Sequence, residues 1–305
     1  MSLSERSRIL KGSADVLPHS RMPSTAPWGW ARRLRRAVPG GPHMQATTET
    51  TKKTITAQTA AKARGAWRRL ETLLGRGAVA LFAPQDTPLG RLPTGYAALD
   101  EVLDGGLPRG RITEVYGPPA AGKTRLVLKL CGTTIAAGGV AAVVDVDHGI
   151  ERATLERSGI DPNRLVIARP RGGEEALQIV DDLLSAQAAD VVIVDSVAAL
   201  VPRAELQAAT GAAPAGHHAR LMSQALRRLT HKAAKARAVL VFTNQLRRTW
   251  GEDGIGSDVT TGGHALPYAA ATRLSVTRSG RQTRVLVTKA RFGREGCGAL
   301  LDPET

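Results

Sequence analysis

Eight consecutive residues match the phosphate-binding pattern G-x-x-x-x-G-K-[ST] at every specified position. In such a loop the backbone N–H groups face the phosphates of a nucleotide, and the helix that follows adds the positive end of its dipole. We expect Lys123 to reach the β and γ phosphates and the Thr124 hydroxyl to bind Mg²⁺. The sequence therefore predicts a nucleoside triphosphate site. Its residues are Gly117, Pro118, Pro119, Ala120, Ala121, Gly122, Lys123 and Thr124.

An aspartate at the end of a predicted strand is a second candidate for this site. The run 191–195 is aliphatic up to Asp195, as in a strand that is buried on both faces. In a doubly wound sheet, ligands bind beyond the carboxyl ends of the strands, so Asp195 is expected at the ligand edge. Together with Thr124, Asp195 is predicted to bind the magnesium ion.

Two more carboxylates follow another aliphatic run, in the sequence VVDVDH at 143–148. Either Asp145 or Asp147 could polarise the water that attacks the γ phosphate. Side chains alternate along a strand, so the two should point to the same side, and their spacing does not choose between them. We interpret His148 as a packing or hydrogen-bonding residue.

A third predicted strand ends in the polar residues FTNQ at 242–245. A neutral amide at this edge can hydrogen-bond the γ phosphate and respond to its loss. A long glycine-rich segment follows at 246–263, and another segment rich in Ala, Gly and Thr covers 207–216. Loops of such length are usually functional or disordered. We expect two mobile loops that read the state of the nucleotide.

The elements that must position these residues alternate between aliphatic runs and stretches of helical periodicity. This alternation predicts an α/β fold with a doubly wound, mainly parallel sheet covered on both faces. Near the end, 273–278 and 282–289 flank Ser279 and Gly280 and predict an antiparallel hairpin at the sheet edge. The predicted strands are 111–116, 140–146, 165–168, 191–195 and 238–244, and the predicted helices are 123–136, 151–158, 174–187 and 218–236.

Composition limits the class of protein. With 305 residues, 42% of them hydrophobic, the chain can bury a full core. Its net charge of +15 favours a polyanionic partner such as nucleic acid, or it reflects a high-GC genome that prefers Arg to Lys. No run approaches the roughly 18 apolar residues of a membrane span, so no membrane contact is expected. Two cysteines and no Cys/His cluster with zinc spacing fit a reducing, cytoplasmic setting.

The first part of the chain, 1–60, predicts a disordered basic tail. It includes the basic and aromatic stretch WGWARRLRR at 28–36. The sequence allows four interpretations of this tail. It contacts DNA, it acts as an Arg-rich transit peptide, it has no dedicated function, or it is an artefact because translation starts at Met44. From about Lys62 an amphipathic helix is predicted, followed by a short strand at 79–82. The apolar side of this helix contains Ala66, Leu70, Leu73 and Leu74.

A collinear series of segments between about 61 and 292 strongly resembles the bacterial RecA recombinases. The segments are LDEVL at 99–103, GGLPRGRI at 105–112, GPPAAGKT at 117–124, VDSVAAL at 194–200, RLMSQALRRL at 220–229, FTNQLR at 242–247 and TTGGHAL at 260–266. The resemblance implies a RecA-like P-loop NTPase core at 91–295 and an oligomerisation helix and strand at 61–90. A short C-terminal tail is expected at 296–305. The resemblance also implies a homo-oligomeric helical filament with ATP at each subunit interface.

The resemblance assigns roles to further residues. Asp147 stands where the family has its catalytic glutamate and Gln245 where it has its γ-phosphate sensor, so with Lys123 these are the expected catalytic residues. Lys289 and Arg291 match two basic residues that reach the neighbouring subunit's ATP. The segments 207–216 and 246–263 correspond to the DNA-binding loops. The residues that match contacts to the single-strand backbone are Arg220, Ser223, Arg227, Arg247, Gly262, Gly263 and His264.

The chain also departs from the family pattern. Asp147 is one methylene shorter than glutamate, and because a misplacement of about 1 Å can cost about 10²-fold in rate, we predict slow hydrolysis. Ala215 and Gly254 replace hydrophobic side chains that wedge between base triplets, which weakens the expectation of strand exchange. Thr154 replaces the aromatic residue that packs on adenine, which leaves the base selectivity open. The family's separate C-terminal domain is expected to be missing.

These observations predict an ATP- and Mg²⁺-dependent, DNA-stimulated ATPase. It would coat single-stranded DNA, with duplex DNA as a further ligand, and serve homologous recombination and DNA repair. One alternative is an accessory ATPase of the same fold that supports a damage-tolerance polymerase without strand exchange. Another is a hexameric translocase, which electron microscopy would show as closed rings in place of open filaments.

Overall fold

The structure is a computed structural model, and it describes residues 61–62, 65–66, 68–69, 72–73, 90–208, 216–250 and 256–302. The tail predicted at 1–60, the strand predicted at 79–82, and positions Ala215 and Gly254 lie outside these residues. The described residues between 61 and 73 are helical, as predicted, and Thr72 Oγ1 donates to the Arg68 carbonyl one turn earlier (2.9 Å). The role of this helix in contacting another copy stays a prediction.

A parallel sheet forms the centre of the main body. It contains β3 (Ile112–Gly117), β4 (Ala141–Asp145), β5 (Leu165–Ala168), β6 (Val191–Asp195) and β7 (Val239–Trp250). These strands lie in the order β3-β7-β6-β4-β5, and each neighbouring pair is parallel. The chain moves away from β3 as far as β5 and then returns through β6 to β7, so right-handed crossovers place helices on both faces. The predicted doubly wound α/β fold is therefore confirmed.

Helices cover both faces of this sheet. Because side chains alternate along a strand, Val143 and Ile193 belong to one core cluster, while Val144 and Val194 belong to the other. The first cluster is closed by α1 (Ala97–Val102) and α2 (Lys123–Ala136), and the second by α4 (Gly173–Ser185) and α6 (His217–Ala236). Among the described residues, no helix is both long and apolar enough to cross a membrane. Shorter elements are β1 (Arg91–Leu92), β2 (Leu107–Pro108), α3 (Arg152–Arg157), α5 (Arg203–Gln207) and α7 (Ala265–Ala269).

The antiparallel hairpin predicted near the end of the chain is present. It consists of β9 (Thr272–Ser279) and β10 (Gln282–Ala290), and β9 joins the parallel sheet beside β3. Part of the tail predicted at 296–305 is instead β11 (Gly298–Leu301), which pairs antiparallel with β10. Only Ala299 and Leu301 point inward, and the outward Leu300 is also apolar. This strand therefore lacks the alternation of apolar and polar residues that marks a half-buried strand in a sequence.

The segment predicted as a loop at 246–263 is partly a two-stranded ribbon. β7 continues to Trp250 and pairs antiparallel with β8 (Gly256–Thr260), from Leu246 opposite Thr260 to Trp250 opposite Gly256. The prediction of a loop throughout is therefore wrong. The Gly and Asp residues of this segment are typical of loops, but it also contains two short runs with strand-forming residues. These residues are Thr249, Trp250, Val259 and Thr260.

The two cysteines have opposite surroundings. Cys131 lies in α2 and is fully buried, and this burial raises the pKa of its thiol to about 12. Cys297 is exposed, one residue before β11. Both are free thiols.

Candidate functional site

The predicted phosphate loop lies between the carboxyl end of β3 and the start of α2. Gly122, the N-cap of α2, has a φ of 101°, a left-handed conformation that favours glycine. A Cβ at Gly122 would lie 2.9 Å from Thr283 Oγ1, and one at Gly117 would lie 2.0 Å from the Val276 carbonyl oxygen. The loop turns tightly in front of the first amides of α2, and neither glycine position has room for a side chain. A helix N-terminus that follows such a turn is suited to binding phosphate.

Lys123 is the first residue of α2, and its side chain folds back over the phosphate loop. Its Nζ donates to the carbonyls of Gly117 (3.0 Å) and Pro118 (2.8 Å). Burial lowers the pKa of Lys123, while the carboxylates of Asp195 and Asp147 oppose that shift. The ammonium is therefore held between the loop and the acidic strand ends.

The two predicted metal ligands are in direct contact. Thr124 Oγ1 donates to Asp195 Oδ2 (2.9 Å), and Thr243 Oγ1 donates to Asp195 Oδ1. Asp195 is the last residue of β6 and is buried, so its oxygens have a fixed direction. Hydroxyl and carboxylate oxygens are ligands that Mg²⁺ prefers. The described residues contain no cluster of three His, Cys, Asp or Glu side chains that would suit another metal.

Asp145 stabilises the turn that follows β4. It is 1% exposed, and its carboxylate accepts hydrogen bonds from the backbone N–H groups of Gly149 (3.0 Å) and Ile150 (3.2 Å). Arg169 Nε lies 3.4 Å from Asp145 Oδ2 and forms an ion pair with it. With its oxygens occupied in this way, Asp145 has a structural role.

Asp147 is the carboxylate that remains available at this edge. The expectation that both aspartates point to the same side is wrong, because β4 ends at Asp145, and Asp145 is buried whereas Asp147 is exposed. Asp147 is exposed as a residue, and its backbone N–H donates to the Asp195 carbonyl (3.3 Å). Partial burial of the carboxyl raises the pKa of Asp147, and Asp195 and Asp145 add to the shift. Ser196 and Lys123 oppose it.

Gln245 lies beside the phosphate loop, because β7 pairs with β3 in a register that places Gln245 opposite Gly117. The residue before it, Asn244, is fully buried and has all its polar atoms paired. Asn244 Nδ2 donates to Glu114 Oε1 and to the Thr261 carbonyl, each at 2.9 Å. Asn244 Oδ1 accepts from the Gln245 N–H (2.8 Å) and from the Thr261 hydroxyl.

Glu114 and Arg273 form an ion pair that was not predicted from the sequence. Glu114 lies in β3 and is fully buried, and Arg273 Nε donates to its Oε2 (2.6 Å). The Arg273 guanidinium also lies over the Tyr116 ring, 4.5 Å from the centroid. An isolated acidic residue inside an aliphatic strand is the signal that could have found this pair, since a buried charge requires a partner.

Lys289 and Arg291 contact α7 and not the phosphate loop of their own chain. Lys289 Nζ donates to the carbonyls of Pro267 (2.7 Å) and Tyr268 (3.2 Å), and Arg291 Nη2 donates to that of Tyr268 (3.1 Å). Burial lowers the pKa of Lys289, and the nearby Arg291 and Arg273 lower it further. Both cations therefore lie together at the C-terminal end of a short helix.

Two of the predicted DNA-contacting residues, Gly262 and Gly263, pack against the first turns of α6. Gly262 and Gly263 have left-handed φ values of 88° and 75° and lie against α6. A Cβ at Gly263 would be 2.9 Å from Ala219 Cβ, and one at Gly262 would be 3.4 Å from Met222 Cγ. This packing brings His264 to the same side as the first turns of α6. Arg220, Arg227, Arg247 and His264 are exposed, and Ser223 is half-buried.

Thr154, the position expected to lie at the base, is in α3. Its Oγ1 accepts a hydrogen bond from Arg157 Nη2 (3.2 Å).

Comparison with known proteins is consistent with this geometry. The RecA N-terminal domain family matches residues 62–291. The chain is similar to Protein RecA of Rhodospirillum centenum, with 42% identity over 234 residues that cover 72% of this chain and 65% of the relative. It is also similar to Protein RecA of Synechocystis sp., with 41% identity over 226 residues, covering 74% and 63%. Protein RecA of Mycobacterium bovis matches at 41% identity over 249 residues, covering 78% and 31%.

The chain thus spans just under two thirds of the length of the first two relatives and under a third of the third. The matched residues include the phosphate loop, the metal-ligand candidates Thr124 and Asp195, Gln245 in β7, and the basic residues Lys289 and Arg291. A family match over most of the chain, together with the confirmed α/β core, leads to one conclusion. The chain belongs to the RecA family.

Proposed function

We propose that this chain is a DNA-dependent ATPase that assembles on single-stranded DNA as a filament and serves homologous recombination and DNA repair. The observation that carries the proposal is the 2.9 Å contact between Thr124 and Asp195 beside a complete phosphate loop. Hydroxyl and carboxylate oxygens this close to the loop support the binding of Mg²⁺ together with a triphosphate. The similarity to proteins named RecA supports this choice of activity.

The residues of the loop fit ATP and Mg²⁺. Gly117 and Gly122 have no room for a side chain, and their tight turns let the N–H groups that follow Pro118 and Pro119 face phosphate oxygens. Lys123 is already held at the loop carbonyls, from which its ammonium can turn to the β and γ phosphates. Thr124 and Asp195 would hold the metal. When bound, Mg²⁺ supplies positive charge that offsets the charge developing on the phosphates.

Asp147 is proposed to orient and polarise the attacking water, and Gln245, which lies opposite Gly117, is proposed to contact the γ phosphate. The raised pKa of Asp147 makes its carboxylate a better proton acceptor. Its side chain is one methylene shorter than that of the glutamate in the family, so we propose slow hydrolysis.

The site of one chain is proposed to be completed by another copy. Lys289 and Arg291 lie together at α7 and do not contact the phosphate loop of their own chain. They are therefore available to neutralise phosphate charge across a subunit interface. Such a contact would make hydrolysis depend on assembly.

DNA binding is proposed at the start of α6 and along the neighbouring ribbon. Arg220, Arg227, Arg247 and His264 are exposed on elements that pack together through Gly262 and Gly263. No acidic residue occurs in the 20 residues of α6. The surface suits a phosphate backbone, and binding should be salt-dependent and largely independent of base sequence.

The test is ATP hydrolysis with and without single-stranded DNA. Wild type should hydrolyse ATP slowly and be stimulated by DNA. Lys123→Ala and Thr124→Ala should abolish hydrolysis, whereas the matched variant Thr124→Ser keeps the hydroxyl and should retain it. Arg247→Ala should keep the basal rate and lose most of the stimulation. Unchanged activity in Lys123→Ala, or no calorimetric binding of Mg²⁺–ATP to folded protein, would refute the proposal.

Strand exchange is a separate step of the proposed function. An assay of joint molecules between homologous strands distinguishes the recombinase from an accessory ATPase of the same fold. Robust joint-molecule formation removes the accessory alternative, and its absence in the presence of normal DNA-stimulated hydrolysis favours it.

A further inference from the structure

The ribbon formed by β7 and β8 leaves and rejoins the body of the protein at a narrow neck. We call Gln245 and Thr261 the loop neck, because they flank residues 246–260 on either side. One side of the neck is the proposed γ-phosphate sensor, and the other directly precedes the proposed DNA contacts Gly262, Gly263 and His264. Any connection across the neck therefore joins the two proposed ligand sites.

Besides the backbone pairing of Leu246 with Thr260, the side chain of Asn244 makes such a connection. Asn244 binds one side of the neck through the Gln245 N–H and the other side through both the carbonyl and the hydroxyl of Thr261. Asn244 is fully buried and Thr261 nearly so. Since water cannot replace these bonds, a displacement of the Gln245 backbone must either carry Thr261 with it or leave buried polar groups unpaired.

Glu114 holds the Asn244 amide in this orientation. Glu114 Oε1 accepts from Asn244 Nδ2, and its Oε2 accepts from Arg273, so neither carboxylate oxygen is free. Glu114 also lies in β3, three residues before Gly117. The connection across the neck is therefore anchored to the strand that leads into the phosphate loop.

A cavity lies beside the residues that follow and precede the neck. Its volume is about 390 Å³, and its lining includes Leu246, Thr260, Gly263, His264 and Arg273. Of these residues, Leu246 and Thr260 belong to the ribbon, Gly263 and His264 to the DNA-contacting segment, and Arg273 to the ion pair with Glu114.

We propose that Asn244, oriented by Glu114, is the positioning residue that couples the nucleotide at Gln245 to the DNA-contacting segment at Thr261. This inference rests on the proposed function. An apolar residue of similar size could fill the space at 244, but it would bind neither side of the neck. The buried polar pair therefore links the two sides of the neck, which an apolar pair that only filled the space would not do.

The measurement that tests this is a coupling factor. It is the ratio of the dissociation constants for fluorescent single-stranded DNA without and with a hydrolysis-resistant ATP analogue. By linkage, the same factor must appear in the affinity for the analogue measured without and with DNA. Coupling factors in allosteric proteins are typically about 5- to 150-fold, and we expect wild type to lie in this range.

Exchange of the two buried groups gives the sharpest variants. Asn244→Asp removes the donor to Glu114 and places two carboxylates together, and it should reduce the coupling factor to about 1–2. The double variant Glu114→Gln with Asn244→Asp restores the bond with donor and acceptor exchanged, because the new amide can donate to the new carboxylate and still accept from Arg273. The bond to the Thr261 carbonyl is not restored, because aspartate has no donor for it, so the factor should recover in part, to a value between those of Asn244→Asp and wild type.

A milder pair guards against loss of folding. Thr261→Val removes the hydroxyl that donates to Asn244 and should lower the coupling factor about 3- to 10-fold, while its affinity for the analogue without DNA stays within about twofold. Thr261→Ser keeps the hydroxyl and should resemble wild type.

The outcomes separate this inference from the proposed function. If wild type shows no coupling factor above 1, the proposed function fails. If wild type is coupled and folded Asn244→Asp and Thr261→Val keep the full factor, only the role of Asn244 is overturned. Loss in both, with recovery in the double variant and in Thr261→Ser, supports it.

Discussion

Asp145 and Asp147 are two residues apart, and their carboxylates have different surroundings. Asp145 is enclosed by backbone N–H groups and Arg169, whereas Asp147 faces Lys123 and Asp195 beyond the end of β4. The strand ends between them, so their environments are set by where pairing stops. A catalytic assignment at this edge therefore concerns Asp147 alone.

Lengthening Asp147 should speed hydrolysis. Asp147→Glu restores the reach of the family's glutamate, and we expect DNA-stimulated turnover to rise about 10- to 100-fold. Asp147→Asn, which has the same length and no charge, should be inactive. Steady-state ATPase assays at saturating DNA measure both. A rate for Asp147→Glu no higher than wild type would show that chain length does not limit the reaction.

The raised pKa of Asp147 has a consequence for stability. The folded chain holds the Asp147 proton more tightly than the unfolded chain does, so the ionised carboxylate costs stability at pH values above its folded-state pKa. This cost disappears as the pH falls below the ordinary Asp value of about 3.9. Asp147→Asn should therefore have a higher Tm than wild type at pH 7, and the difference should shrink as the pH approaches 4. An equal Tm at both pH values would contradict this.

Residues with a chemical role in a short pattern could be predicted from the sequence. Lys123 and Thr124 are defined by the eight-residue loop, and Asp195 by its place at the end of an aliphatic strand. The Asn244, Glu114 and Thr261 contacts could not be predicted, because they join residues 130 and 17 positions apart. Only the fold brings them together.

At the scale of elements, the junction between Gly263 and α6 should be sensitive to one methyl group. Gly263→Ala would place a Cβ 2.9 Å from Ala219 Cβ at a φ of 75°. We expect a loss of about 2–3 kcal/mol of stability and weaker DNA binding. Gly280→Ala is the matched control, because its φ is 61° and nothing lies within 4 Å of an added Cβ.

Thermal unfolding and DNA-binding titrations measure these two variants. Gly280→Ala should show the backbone cost alone, about 1 kcal/mol, with normal DNA affinity. Equal behaviour of the two alanine variants would mean that the close packing on α6 does not matter for the DNA site.

The strand β11 can be tested by two neighbouring leucines. Leu301 is 2% exposed and belongs to the core cluster, whereas Leu300 is 51% exposed. Leu301→Ala should cost about 2–4 kcal/mol and Leu300→Ala less than about 1 kcal/mol, measured by denaturant unfolding. Similar small losses for both would argue that 298–301 is a tail after all.

Regular elements with clear periodicity could be predicted almost to the residue. The helix Lys123–Ala136 and the strand Val191–Asp195 have the predicted bounds. The ribbon of β7 and β8 and the strand β11 could not be predicted, because their pairing partners and not their own composition determine them. Edge strands of this kind have little apolar alternation to detect.

At the scale of the whole molecule, the net charge of +15 should appear in the salt dependence of DNA binding. Each phosphate contact contributes about 0.7 to the slope of log affinity against log salt for single strands. Arg227→Ala should lower this slope by about that amount. Arg294→Ala removes the same charge from a surface ion pair with Asp104 and should leave the slope unchanged. Equal slopes for both variants would indicate a nonspecific effect of net charge.

The contrast between the cysteines offers a practical route to these experiments. Because Cys131 is buried with a pKa of about 12 and Cys297 is exposed, a maleimide dye should modify the native wild-type chain at one position only. Thiol titration with Ellman's reagent should count one reactive group in buffer and two in denaturant. Without any cysteine substitution, the protein thus carries a single attachment point for a fluorophore, from which energy transfer between labelled copies would report assembly in real time.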